Sequence, residues 1–149
     1  MSYATLMVYV TVDRVSKALV SVAADLAGRF SAKLIGLSAC AIPPPVVVEG
    51  VVTVDHASEF EIAQIRARLA EAADSFRVAA GAELETEWRS ALEVPTDTLI
   101  REARCADLII IGKSGRSIDF YRAADPGTAI MGAGRPLLVV PGAGKSLAA

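Results

Sequence analysis

Short β-rich apolar runs alternate along this chain with segments whose apolar residues recur at helical spacing, and this alternation constrains the fold more than any other feature. The helical spacing is clear from Leu19 to Phe30, shortly after the first apolar run. Such alternation favours right-handed crossovers, a parallel sheet and helices on both of its faces. Five strands are predicted, over residues 6–12, 33–41, 83–89, 107–112 and 136–140.

Two strand patterns predict the order of the sheet. Residues 83–89 alternate strictly between charged and less polar side chains, which is typical of a half-buried edge strand. Residues 107–112 are apolar on both faces, as in a central strand. The fold that fits is α/β, a doubly wound five-stranded parallel sheet in the order 3-2-1-4-5, with the winding reversed between strands one and four.

The longest predicted helix lies between the second and third strands. Ser58 and Glu61 form a capping box at its start, and Gly81 gives a C-terminal stop. The preceding loop, from Pro43 to Asp55, contains too much proline to pair centrally in the sheet.

Length and composition indicate one domain. The chain has 149 residues, of which 53% are apolar, and we expect residues 1–149 to form a single domain with one core. Its net charge is −2 and it has no basic stripe, which makes nucleic acid an unsuitable partner. No apolar run reaches the length of a membrane span, and no signal-like segment opens the chain. A soluble cytoplasmic protein is the expectation.

Few residues suit catalysis or metal binding. His56 is the only histidine, no GxSxG elbow is present, and Cys40 and Cys105 form neither a CxxC nor a Cys/His spacing. The tail from Gly142 to Ser146 resembles the end of a P-loop but lacks the glycine that should precede it. The sequence therefore offers no catalytic residue and no metal site.

The exits from strands one and four are predicted to be neighbours. Ligands of doubly wound sheets bind beyond the carboxyl ends of the strands, at the point where the winding reverses. The loops that meet there cover residues 11–13 and 112–116. We therefore expect a small-molecule site to involve these two loops.

Four segments in order resemble the universal stress protein family: an apolar first strand with a helix ending LAGRFSAKLIGLSA, a long middle helix, ADLIIIGKSGR and GRPLLVVP. The resemblance spans nearly the whole chain. It implies a flavodoxin-like sheet of the adenine nucleotide alpha hydrolase type and a homodimer. In one branch of the family it also implies binding of ATP or AMP, with Mg²⁺ if the ligand is ATP.

The nucleotide-binding branch carries a glycine motif, G-x2-G-x9-G-[ST], after its fourth strand, and this chain has a degenerate form of it. Gly112 and Gly115 fit the first half. Gly127 and Thr128 would serve as the last pair, but eleven residues rather than nine separate Gly115 from Gly127. Two of these eleven residues are the aspartates Asp119 and Asp125. Thr11 stands where those members usually have the aspartate that binds the nucleoside.

If a nucleotide binds, the resemblance implies a role for nine residues. Thr11 and Val12 would lie near the nucleoside, and Ala39 at the end of strand two would line the base pocket. Glycines allow backbone N–H groups to approach phosphate oxygens closely. The residues facing ribose and phosphates would be Gly112, Ser114, Gly115, Arg116, Gly127 and Thr128.

The closing strand, from Pro136 to Val140, is apolar and is predicted at the other edge of the sheet. An exposed apolar edge is an aggregation hazard, and antiparallel pairing with its own copy across a two-fold axis would cover it. This strand therefore predicts the same homodimer that the resemblance implies.

Three functions stay open at the level of sequence. The first is a dimeric regulatory module that binds an adenine nucleotide. The second is a stress-response protein that binds no nucleotide and acts through protein–protein contacts, with the apolar segment from Val46 to Val54 as a docking surface. The third is a weak ATPase or another small enzyme, for which no general base is visible.

Overall fold

Five parallel strands form the main sheet, with helices on both faces. The computed structural model describes residues 3–43, 47–52, 59–113 and 119–142. Its elements are β1 (Thr5–Tyr9), α1 (Lys17–Phe30), β2 (Lys33–Ala39), β3 (Val47–Val48), β4 (Val51–Val52), α2 (Glu59–Ala80), β5 (Thr86–Ala91), α3 (Pro95–Glu102), β6 (Leu108–Gly112), α4 (Pro126–Gly132) and β7 (Leu137–Val140).

The strand order is β5-β2-β1-β6-β7, which confirms the predicted order 3-2-1-4-5. Met7 of β1 pairs with Ile35 of β2 on one side and with Ile109 of β6 on the other, and all three are buried. The strand with the alternating pattern, β5, and the closing strand, β7, are the two edges. The winding reverses at β1, because β2 lies on one side of it and β6 on the other.

Two apolar layers hold the helices on the sheet. Leu6 and Val8 of β1 face α1 and α2, which pack together on one side. Met7 and Tyr9 face the opposite side, where α3 and α4 pack together. Successive strand residues point to opposite faces, so an unbroken apolar run fills both layers.

Gly36 of β2 allows α2 to approach the sheet closely. A Cβ atom on Gly36 would lie 2.8 Å from Cε3 of Trp88 and 2.9 Å from two ring atoms of Phe76. These rings meet over the glycine with their centroids 5.5 Å apart. The absence of a side chain at position 36 therefore sets where α2 sits over β2 and β5.

The loop after β2 contains a small hairpin that the sequence analysis did not predict. β3 and β4 pair antiparallel and form a two-stranded sheet of their own. Glu49 and Gly50 between them have φ of 54° and 73°, as a two-residue hairpin turn of type I′ requires. The prediction that this loop stays out of the main sheet is confirmed for the residues that the structure describes.

Two further details differ from or extend the predictions. β5 begins at Thr86 rather than residue 83, because residues 83–85 precede its first pairing with β2. α2 ends at Ala80 and Gly81 follows with a φ of 84°, which confirms the predicted stop. Ser58 of the predicted capping box and His56 lie outside the described residues.

Ion pairs cover one face of the β5 edge. Nζ of Lys33 lies 2.6 Å from Glu87, and Arg89 binds Glu87 at 2.7 Å and Glu102 at 2.8 Å. The hydrogen bonds from Lys33 and Arg89 hold the pKa of Glu87 below its usual range. Ion-paired side chains therefore line this edge of the sheet and connect β5 to β2 and α3.

None of the helices in the described part of the chain combines the length and apolar character that a membrane span needs.

Candidate functional site

A cleft of about 410 Å³ opens at the C-terminal ends of β1, β6 and β7. This is the rim where the winding of the sheet reverses, and the volume is typical of a small-molecule site. The lining residues come from the two loops predicted to meet, from the start of α1 and from the end of β7. They are Tyr9, Val10, Thr11, Arg14, Ser16, Ala18, Leu19, Ile111, Gly112, Lys113, Ala123, Ala124, Val140, Pro141 and Gly142.

The cleft is locally positive although the whole chain is slightly acidic. Arg14 lines it from the loop after β1, and Lys113 lines it directly after β6. No aspartate or glutamate is among its lining residues in the described ranges. A cleft of one charge sign concentrates ligands of the opposite sign. This arrangement favours an anionic ligand.

The start of α1 adds to this positive character. Ser16 is the N-cap of the helix, and its Oγ accepts a hydrogen bond from the backbone N–H of Leu19 at 3.2 Å. The first turn of α1 carries no acidic residue, and Ser16 and Ala18 line the cleft. The partial positive charge at the N-terminus of this helix therefore faces the cleft.

Two of the residues predicted for a nucleotide site, Thr11 and Gly112, lie together in this cleft. Val12 does not line it and instead packs with Cys40 and Leu69 in a separate buried cluster. Ala39 is fully buried and is not a lining residue either; its carbonyl accepts a hydrogen bond from the Tyr9 hydroxyl at 3.2 Å. Burial raises the pKa of Tyr9, so its hydroxyl stays a neutral donor.

Gly127 and Thr128 also lie apart from the cleft, at the start of α4. Their backbone N–H groups donate to the carboxylate of Asp125 at 3.3 and 3.1 Å, and the Thr128 hydroxyl donates to it at 2.6 Å. These bonds, led by the one from the Thr128 hydroxyl, lower the pKa of Asp125. The donors that a phosphate would use here are therefore engaged by the N-cap of their own helix.

Ser114, Gly115 and Arg116, the other three predicted residues, lie outside the described residues.

Residues 119–125, here called the strap, run from the described end of the loop after β6 to the start of α4. The carbonyl of Tyr121 accepts a hydrogen bond from the Ala41 N–H at 2.8 Å, just beyond the end of β2. The N–H of Asp125 donates to Oγ1 of Thr96 at 2.9 Å. Ala123 and Ala124 of the strap form one wall of the cleft.

An ion-pair cluster ties the strap to the loop after β1. Nη1 of Arg122 lies 2.8 and 2.9 Å from the two carboxylate oxygens of Asp13. Nη1 of Arg68, on α2, lies 3.2 Å from the same carboxylate. Asp13 therefore joins three segments at the rim: its own loop, the strap and α2.

The two charges that characterise this site were not among the predicted site residues. Arg14 and Lys113 carry no motif, and isolated cations have no periodic signal. Lys113 lies in one of the two loops that were predicted to meet and Arg14 directly follows the other, and this was the one sequence signal that could have identified them. Within the described ranges, no group of three or more His, Cys, Asp or Glu residues is arranged to hold a metal ion.

Comparisons with known proteins agree with this architecture. The model of the universal stress protein family matches residues 2–119. A crystal structure of a universal stress protein in complex with cAMP is 25% identical, covers 95% of this chain and 99% of its own, and has a TM-score of 0.63.

Two more distant structures share the fold. Universal stress protein UspA from Lactobacillus plantarum is 19% identical over 93% of this chain and 98% of its own, with a TM-score of 0.62. The universal stress protein from Archaeoglobus fulgidus in complex with dAMP is 19% identical over the same shares, with a TM-score of 0.58. No curated protein matches the chain significantly.

Proposed function

This chain belongs to the universal stress protein family, and from this membership we propose that it is a dimeric regulatory module that binds an adenine nucleotide in the cleft at the ends of β1, β6 and β7. AMP and ATP, the latter with Mg²⁺, are the proposed ligands. The relative at 25% identity was crystallised with cAMP, which supports an adenine nucleotide for this chain too.

The observation that carries the proposal is the pair of cations in a cleft without lining acids. Arg14 and Lys113 would neutralise the phosphate from two sides, and the start of α1 would face it. Thr11 would then lie beside the ribose, and Ala123 and Ala124 of the strap would give the base an apolar wall. Because Asp125 engages Gly127 and Thr128, the phosphate would be held from the α1 side rather than from α4.

Titration calorimetry with AMP, ATP and Mg²⁺ tests this proposal directly. We expect saturable binding of one nucleotide per subunit. At a ligand concentration about 100-fold above Kd, binding adds about 2.7 kcal/mol to the free energy of unfolding, so Tm should rise by several degrees. Millimolar AMP without heat or a Tm shift would contradict the proposal. Phosphate release from ATP, followed in the same samples, separates binding from a weak ATPase activity.

A second candidate function is contact with other proteins without a nucleotide. The observation in its favour is that Asp125 uses the N–H groups of Gly127 and Thr128, which the glycine motif would offer to phosphate. α4 also exposes two large apolar side chains, Ile130 and Met131. An unchanged Tm with every nucleotide would select this alternative.

The proposed dimer forms through β7. This edge strand has the sequence LLVV, without a charged residue, and Val139 is 42% exposed. Antiparallel pairing of β7 with its own copy would satisfy its open backbone groups and cover its apolar side chains.

Val139→Lys is expected to abolish this dimer, because it would place a charge in the centre of the paired edges. Light scattering should then give one subunit mass of 15.5 kDa instead of twice that value. Val78→Lys is the matched control, since Val78 is 81% exposed on α2 and away from β7. Equal masses for Val139→Lys and the unsubstituted protein would rule out this interface.

A further inference from the structure

We use the word crevice for the cleft together with the adjoining rim beyond the ends of β1 and β2, and the strap occupies polar groups at the β2 end of this crevice. The Ala41 N–H, just beyond the end of β2, donates to the carbonyl of Tyr121 at 2.8 Å. The carboxylate of Asp13, beyond the end of β1, is bound by Arg122 at 2.8 and 2.9 Å. A free backbone N–H and a free carboxylate at such a rim are groups that recognise the acceptors of a base and the hydroxyls of a ribose.

We propose that the strap is a built-in lid on the nucleoside end of the crevice, and that the Asp13–Arg122 ion pair is the latch that decides whether the crevice accepts a whole nucleoside or only a phosphate group. This inference rests on the proposed function of the cleft. With the latch closed, phosphate still reaches Arg14 and Lys113, but the base finds only the apolar wall of the strap. With the latch open, the Ala41 N–H and Oδ2 of Asp13, the oxygen that Arg68 does not bind, become available to the nucleoside.

The latch is weak enough to open. The side chains of Arg122 and Asp13 are 41% and 39% exposed, and exposed ion pairs typically shift an equilibrium by up to about fivefold. Arg68 also binds Asp13, but it extends from α2 and does not hold the strap. Asp13 and Arg122 therefore position the strap, whereas within this cluster Arg68 contacts only the Asp13 carboxylate.

Two cysteines make the latch measurable without a nucleotide. Cys40 is 2% exposed, packs with Val12 and Leu69, and directly precedes the Ala41 N–H that holds the strap. Its thiol lies within electrostatic reach of Asp13 and Arg122, and burial raises its pKa. Cys105 is exposed and lies at the end of the short helical turn before β6, at the opposite rim of the sheet. Opening of the strap should speed alkylation of Cys40 and leave Cys105 unchanged.

The test compares Asp13→Asn and Arg122→Gln, which change the net charge in opposite directions but break the same pair. We expect both variants to label Cys40 up to about fivefold faster than the unsubstituted protein, with Cys105 as the internal reference, by intact mass spectrometry. Asp74→Asn removes a carboxylate that pairs with Arg77 on α2, outside the strap, so this control should label at the original rate. Thermal melts of all variants check that labelling reports the strap and not unfolding.

Affinity for uncharged adenosine gives the second readout. Arg122→Gln, which releases the Asp13 carboxylate, should bind adenosine more tightly by a factor similar to its gain in labelling, whereas Asp13→Asn, which lacks that carboxylate, should not. Affinity for inorganic phosphate should not follow that pattern. A purely electrostatic effect would move nucleotide affinity in opposite directions in the two variants and leave adenosine unchanged.

Three results would count against these inferences. Equal Cys40 labelling in the latch variants and the unsubstituted protein would overturn the latch. Faster labelling of Arg122→Gln with unchanged adenosine affinity would overturn the role of the latch in ligand choice. If no variant binds AMP or phosphate, the proposed function fails and ligand choice fails with it, while the labelling rates still decide whether the strap is latched.

Discussion

Replacing both Arg14 and Lys113 with glutamine is expected to weaken AMP binding by about 100-fold. Each cation lines the same cleft from a different loop, and each would make a charge-assisted contact with the phosphate. Loss of one such contact weakens binding by about tenfold, and two independent losses multiply. Titration calorimetry at constant ionic strength measures the change.

The matched control removes the same two charges elsewhere. Arg66 and Arg104 are exposed, and neither lines the cleft. The double substitution Arg66→Gln and Arg104→Gln should change AMP affinity by less than about threefold, because neither side chain lines the cleft and salt screens exposed charges. If both double variants weaken AMP equally, the effect is one of overall charge and the cleft is not the site. Adenosine, which lacks a phosphate, should bind the Arg14/Lys113 variant normally.

Phe76→Ala is expected to lower the free energy of unfolding by about 3–5 kcal/mol. The ring is fully buried, contacts Trp88 and fills the space above Gly36 where any side chain would clash. Its removal leaves a cavity between α2 and the sheet that Gly36 has no side chain to fill. Urea denaturation followed by circular dichroism measures the loss.

Val78→Ala, two residues further along the same helix, provides the control. Val78 is 81% exposed, so its truncation should change stability by less than about 0.5 kcal/mol. A similar small cost for Phe76→Ala would mean that α2 does not depend on this contact for its position over β2.

The strand order could be predicted because the relevant signals are local. The alternation of charged and less polar side chains over residues 83–89 identifies an edge strand. The continuous apolar run of β6 identifies a strand that is covered on both faces. The hairpin was missed because its turn is Glu49-Gly50, whereas the usual signal for such turns is Asn or Asp before glycine. The proline-rich context also pointed away from any pairing.

The candidate site was less predictable, because it depends on which donors and acceptors are hydrogen-bonded to each other in the folded chain. The spacing between Gly115 and Gly127 already departs from the motif, but spacing does not reveal that Asp125 caps the helix that contains Gly127. The bond between the Ala41 N–H and the Tyr121 carbonyl joins residues 80 positions apart in the chain. No sequence pattern encodes such a backbone contact, so the strap emerged only from the three-dimensional arrangement.

The two borders of the sheet differ in a way that limits how copies of this chain can associate. β5 carries Glu87 and Arg89 within a network of ion pairs, whereas β7 consists of leucine and valine. Strand-to-strand addition across the β5 border would strip water from charges, and nothing comparable opposes it at β7. In a dimer joined through β7, the only edges left open in the main sheets of the described residues are the two charged β5 strands. A third copy would have to pair with one of them, so the dimer should not extend into a fibre.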